Sequence, residues 1–300
     1  MGREGRRPDA YKPSLELYLR AKQEGGDLLV PSILRARLDA LSRRSCLVLI
    51  HGFNNTDSEA ATAYFAFRTR QTEINEPAAP LDALFGDAFW PGDARWGWLD
   101  MADALIYPIS VGTAKRAAAQ IARLLWQMPN LQRVDFIAHS LGTRVVMETL
   151  AQLRERTLPK VERVCLMAPA VPSEMLEPRG RFFDLLRQMQ AERTRFYVLH
   201  SMQDTVLHRA FPIGQRFAGA GEASSRALGR FGPTPLMPGY GDTLRGDAVE
   251  GAGHSHYWGQ EVNPASRKAT ELAGMFLELG ARDRKLSSVR RVGASRGIGS

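Results

Sequence analysis

Val134-Asp135-Phe136-Ile137-Ala138-His139-Ser140-Leu141-Gly142-Thr143 is an apolar run that ends in a turn of small residues and passes at once into helix-forming sequence. A short apolar run bounded by a turn fits a strand buried on both faces. The turn reads Ala138-x-Ser140-x-Gly142, the G-x-S-x-G nucleophile elbow with alanine at its first small position. A serine on so sharp a strand-to-helix turn has a strained backbone and an exposed hydroxyl. The residues two before and two after it are expected to pass close to each other, so both must be small. The helix opening at Leu141 points N–H groups at whatever the serine attacks, which favours a developing oxyanion.

Working outward, the same alternation recurs. Cys46-Leu47-Val48-Leu49-Ile50 reads as a buried strand ending in His51-Gly52-Phe53-Asn54-Asn55-Thr56, with a helix from about Ser58 to Thr69. A strand ends at Trp90-Pro91, and Trp96 and Trp98 follow on a loop. Helices are expected over 112–127, 141–156 and 181–193, and strands over 161–170 and 196–200. A short strand near 246–250 and a helix over 264–279 complete the set. Strands alternating with helices call for a mostly parallel sheet with right-handed crossovers and helices on both faces.

The ends read differently. Residues 1–27 are polar and punctuated by Pro and Gly, and are expected to form a loosely docked arm; 32–42 suit a short helix or a surface strand pair. Residues 1–44 are therefore peripheral, 45–280 the single main domain, and 281–300 a basic disordered tail. Residues 208–245, rich in Gly, Pro and Arg, read as a long irregular excursion. Its Phe211, Phe217, Phe231 and Leu236 suit either an apolar wall over a site or ordinary packing on the body.

Serine is a weak nucleophile at its own pKa and needs a base, which in turn needs an acid to fix its tautomer. Asp204 follows the strand at 196–200 and so lies at the sheet's C-terminal edge, where sites of this architecture are built. A helix-capping role competes for it, and Asp242 and Asp247 are rival acids. His254 is the first candidate base and His256 the second. His51, His139, His200 and His208 read as structural histidines.

The order Ser140, Asp204, His254 resembles that of the α/β-hydrolase superfamily. More closely, the chain is similar to a poorly characterised bacterial-type branch, on four segments. These are His51-Gly52-Phe53-Asn54, Trp90-Pro91, Ala138-His139-Ser140-Leu141-Gly142 and Gly253-His254-Ser255-His256-Tyr257. The last segment favours His254. The resemblance covers about residues 45–280. It implies an α/β-hydrolase fold and hydrolysis through an acyl-enzyme, of carboxylesterase or lipase type. It also implies an oxyanion hole formed by the N–H groups of Phe53 and Leu141, with no cofactor and no metal. Acyl transfer at the same triad, or a non-catalytic binding protein that kept the fold, are the alternatives.

Composition limits the rest. Of the 300 residues, 44% are hydrophobic, which fits a globular domain. No apolar stretch reaches roughly 18 residues, so no transmembrane anchor is expected. Met1-Gly2-Arg3-Glu4-Gly5-Arg6 lacks the apolar region of a secretory signal, and Arg6 breaks the myristoylation pattern. Cys46 and Cys165 fall in apolar strands and suit buried thiols in a reducing cytoplasm. The formal charge of +8 is spread over scattered Arg and the two ends, without aromatic interleaving. A solvated basic surface is expected, and not specific nucleic-acid binding. The expected partner is a small acyl substrate.

Overall fold

The structure, a computed structural model, describes residues 6–21, 28–75, 81, 84–92, 102–216 and 226–280. Eight strands form one sheet: β1 (Leu15–Ala21), β2 (Leu28–Ala36), β3 (Ser45–Ile50), β4 (Phe85–Phe89), β5 (Arg133–His139), β6 (Lys160–Met167), β7 (Arg195–His200) and β8 (Leu244–Ala248). Their order is β2-β1-β4-β3-β5-β6-β7-β8, and β2 alone runs antiparallel to its neighbour. The helices are α1 (Leu38–Leu41), α2 (Asp57–Asn75), α3 (Ala102–Trp126), α4 (Gly142–Leu153), α5 (Phe183–Ala191), α6 (Thr205–Arg216), α7 (Leu228–Phe231) and α8 (Pro264–Phe276).

Right-handed crossovers decide which face each helix covers. The chain moves from β3 to β4 in one direction, then returns past β3 to β5 and continues to β8. The first crossover helix, α2, therefore lies on one face, where it meets α8; α3 lies on the other, against α4 and α6. The central strands are buried on both faces, which is why Cys46–Ile50 and Val134–His139 read as unbroken buried runs. From Gly142 to Leu150 every residue of α4 is buried, because the helix lies between the sheet and α3. Its neighbour α5 is more exposed: Phe182, Leu186 and Met189 are buried, while Phe183 and Leu185 are only partly covered.

Two expectations fail. The loosely docked arm is an inner strand: β1 lies between β2 and β4, with Leu15, Leu17 and Leu19 fully buried. Short strands with polar residues interspersed resemble loop in a sequence, and the alternation Leu15-Glu16-Leu17-Tyr18-Leu19 was the signal for strand. Glu16 is tolerated in the sheet because Arg7 and Arg35 pair with it. The described parts of the excursion at 208–245 carry regular structure rather than an irregular loop throughout. The helix α6 occupies its start and α7 its middle, with Phe211 buried and Phe231 and Leu236 exposed. Phe217, Trp96, Trp98 and the tail at 281–300 lie outside the described residues. Cys46 and Cys165 are both buried and unpaired, and burial pushes the Cys46 thiol up to about 12.

Among the described residues, no helix is long and apolar enough to cross a membrane.

Candidate active site

Ser140 follows β5 directly and has φ of +53°, in the left-handed region that L side chains rarely adopt. Such a backbone costs on the order of 1–2 kcal/mol and persists only where the surroundings over-determine it. Here they do. The Ser140 N–H donates to the Met167 carbonyl at 3.0 Å. The Ser140 carbonyl accepts from the N–H groups of Thr143 (3.1 Å) and Ala170 (3.2 Å), and from the Thr143 hydroxyl (2.5 Å).

The need for small residues has a specific cause. A Cβ on Gly142 would lie 2.3 Å from the His51 carbonyl oxygen and 2.8 Å from that of Ile50. A Cβ on Gly52 would lie 2.9 Å from the Ser140 Cβ. The elbow and the end of β3 thus touch through two glycines. Because backbone atoms cannot move aside cheaply, Gly142→Ala is expected to destabilise the fold by about 3 kcal/mol or more. A urea unfolding midpoint equal to that of the wild type would contradict this packing.

His254 lies on the loop after β8. Its Nε2 is 2.9 Å from the Ser140 Oγ, and its Nδ1 is 2.7 Å from an Asp204 carboxylate oxygen. A carboxylate oxygen accepts, so Nδ1 carries the hydrogen and Nε2 is left to receive the serine proton. Asp204 is fully buried, Ser140 almost so, and the His254 side chain keeps 17% of its surface exposed. The other Asp204 oxygen accepts the Leu207 N–H at 2.9 Å, so the residue also caps α6. One Asp204 oxygen thus meets His254 while the other caps α6.

The rival groups lie elsewhere. His256 accepts the Gly253 N–H on Nδ1 at 3.0 Å and meets Glu261 through Nε2 at 2.9 Å, so both ring nitrogens serve its own loop. Asp247 is held by the Tyr197 hydroxyl, and Asp242 is exposed in the turn before β8. His208 pairs with Arg230 at the surface. Burial lowers the His200 pKa.

His51 is locked in place. Its Nε2 accepts the Trp90 N–H at 3.3 Å, so its Nδ1 donates to the Gly52 carbonyl at 2.8 Å. The Trp90 indole donates to the His51 carbonyl (2.9 Å), and the Tyr64 hydroxyl accepts the His51 N–H (2.8 Å). The Trp90-Pro91 strand end is thereby tied to the loop bearing Gly52 and Phe53. Arg20 of β1 reaches the same loop and donates to the Asn55 carbonyl at 3.1 Å. Among the described residues the N–H groups of Phe53 and Leu141 have no hydrogen-bond partner.

The sequence reading missed a contact of His139. Its Nε2 lies 2.7 Å from the main-chain carbonyl of His254, and the two rings pack with centroids 4.7 Å apart. No local pattern in the sequence signals a contact between residues so far apart in the chain.

Burial pushes the pKa of both His51 and His139 down to about 3; for His139, neighbouring His254 adds to the effect. Both are neutral in the fold and gain a proton near the ordinary value of about 6.5 when unfolded. Between those values the unfolded chain binds more protons, so their stabilisation is complete above about pH 6.5 and is lost as pH falls toward 3. Each contributes a slope of about 1.4 kcal/mol per pH unit in that window. In urea titrations from pH 7 to 4, His139→Gln is expected to flatten the loss of stability by about one proton's worth. An unchanged slope would show that His139 titrates alike in both states.

Among the described residues no group of three His, Cys, Asp or Glu side chains is placed to hold a metal ion.

A mostly parallel eight-stranded sheet with helices on both faces and a strained serine after its central strand is an α/β-hydrolase fold. The chain belongs to the alpha/beta hydrolase family of unknown function designated DUF900, whose pattern matches residues 31–222. The match includes Ser140 and Asp204 and ends before His254. No curated protein matches the chain. Among solved structures, a predicted CIB-like hydrolase of Thermoplasma acidophilum is 17% identical, with TM-score 0.42, covering 82% of this chain and 90% of that one. Carboxyl esterase 2 of Tuber melanosporum is 12% identical, with TM-score 0.44, covering 79% and 78%. An esterase of Pyrobaculum calidifontis is 12% identical, with TM-score 0.42, covering 78% and 76%.

Proposed function

We propose that this protein is a serine hydrolase that cleaves a carboxylic ester or a related acyl compound through an acyl-enzyme. The observation that carries the reading is the continuous chain of contacts from Ser140 Oγ through His254 to Asp204, at 2.9 and 2.7 Å. In the first half-reaction Ser140 Oγ bonds to the acyl carbon while its proton passes to His254 Nε2. The carbonyl oxygen becomes an oxyanion held by the N–H groups of Phe53 and Leu141. Collapse breaks the bond to the alcohol, which leaves with the proton from His254. Water then repeats the steps, releasing the acid and restoring Ser140. Asp204 orients His254 and steadies its charge when it is protonated.

The reading is tested with a fluorophosphonate probe, which phosphonylates activated serines. Wild type and His256→Ala are expected to label, while Ser140→Ala and His254→Ala are not. Labelling lost with His256→Ala but kept with His254→Ala would transfer the base role to His256. Product analysis of ester turnover with added alcohol distinguishes hydrolysis from acyl transfer at the same serine.

A further inference from the structure

We propose that His139 is a positioning residue for His254, holding the base against the nucleophile through the His254 main-chain carbonyl. The inference rests on the serine-hydrolase reading above and concerns how that site keeps its geometry.

His254 comes from a loop, and loops place side chains less firmly than strands do. The site needs its Nε2 within hydrogen-bond reach of Ser140, and a displacement of about 1 Å there costs on the order of 100-fold in rate. The structure holds His254 at two points from one strand end. Ser140 meets the ring at 2.9 Å, and its covalent neighbour His139 meets the carbonyl at 2.7 Å. Because the two anchors are consecutive residues of the same elbow, any shift of the elbow carries both. The distance between base and nucleophile is thereby insulated from movement of the rest of the loop.

The chemistry of the contact fixes its direction. A carbonyl only accepts, so His139 Nε2 carries the hydrogen and donates it. The ring is buried, with Tyr257 at 5.9 Å and Trp258 at 6.3 Å between centroids, so it cannot swing away without opening the core. Held neutral there, it sets no like charge beside His254 when that ring becomes protonated during turnover.

Three substitutions isolate the N–H donor. Gln carries an N–H at about the reach of imidazole Nε2, Asn reaches only as far as Nδ1, and Leu has no donor. The readouts are kcat and KM for p-nitrophenyl butyrate, the rate of fluorophosphonate labelling, and the unfolding midpoint. His139→Leu and His139→Asn are expected to lower kcat by about 10- to 100-fold with KM within about threefold, and His139→Gln to stay within about fivefold of wild type. A lost core contact without a positioning role would impair Gln and Leu alike, which would overturn the inference. Wild-type kcat in folded His139→Leu or His139→Asn would also overturn it. If Leu does not fold, the contrast between Asn and Gln decides. If neither Leu nor Asn folds, Gln decides: kcat within fivefold of wild type supports the role, and a larger loss overturns it. A wild-type protein that fails to label would remove the parent reading and this inference with it. A labelled wild type with unimpaired variants would remove this inference alone.

Discussion

Ser140→Ala is expected to lower ester turnover by at least about 10⁴-fold and to abolish fluorophosphonate labelling. Catalysis by a triad is non-additive: loss of the nucleophile alone removes nearly everything the three residues supply together. What survives is the contribution of substrate binding and of the oxyanion donors, which Ser140→Ala leaves in place. The fold should be nearly unaffected. Among the described residues the hydroxyl is hydrogen-bonded to His254, and the bonds to Met167, Thr143 and Ala170 use the Ser140 main chain, which alanine retains. Unfolding free energy within about 1 kcal/mol of wild type is therefore expected. Substantial turnover of p-nitrophenyl butyrate by the purified variant would end the serine-hydrolase reading, whatever the geometry of the site.

Deletion of residues 1–21 is expected to prevent folding. The deleted segment includes β1, so β2 would lose its partner and β4 its outer neighbour. Burial of Leu15, Leu17 and Leu19 alone is worth about 5–9 kcal/mol, at about 1.5–3 kcal/mol each. Domains of this kind are typically stable by only about 5–15 kcal/mol. Further contacts go with the strand. Arg7 bonds Asp57 at the start of α2 (2.7 and 2.8 Å), and the Tyr11 hydroxyl bonds the fully buried Asp87. Asp87 would keep Arg68 but lose its tyrosine, and the loop after β3 would lose Arg20. The check is soluble expression and cooperative urea unfolding of the shortened chain. A folded, soluble product would mean that β1 is peripheral after all.

The strands β3 to β7 and the elbow were legible in the sequence because their signals are local. Cys46–Ile50, Phe136–Ala138, Val164–Met167 and Phe196–Leu199 are apolar runs that each lead into a turn, and buried parallel strands need little more. The alternation with helices then fixes a parallel sheet by itself. The order Ser140, Asp204, His254 was also legible, since each follows a strand and so lies at one edge of that sheet. Within 1–27, the strand Leu15–Ala21 reads as part of a loose arm because β1 alternates Leu with Glu16, Tyr18 and Arg20. Those side chains are accommodated by Arg7, Arg35 and Asn55, which a local pattern does not bring to them.

The sequence by itself determined the type and succession of the central elements, the serine turn, and the set of titratable residues available at the sheet edge. Only the tertiary structure decided between His254 and His256 as neighbour of Ser140, gave Asp204 its two simultaneous partners, and brought His139 beneath the His254 carbonyl. The reason is physical. Hydrophobic periodicity is set by neighbours a few residues apart, whereas a hydrogen bond between residues more than a hundred positions apart depends on how loops from different strand ends meet.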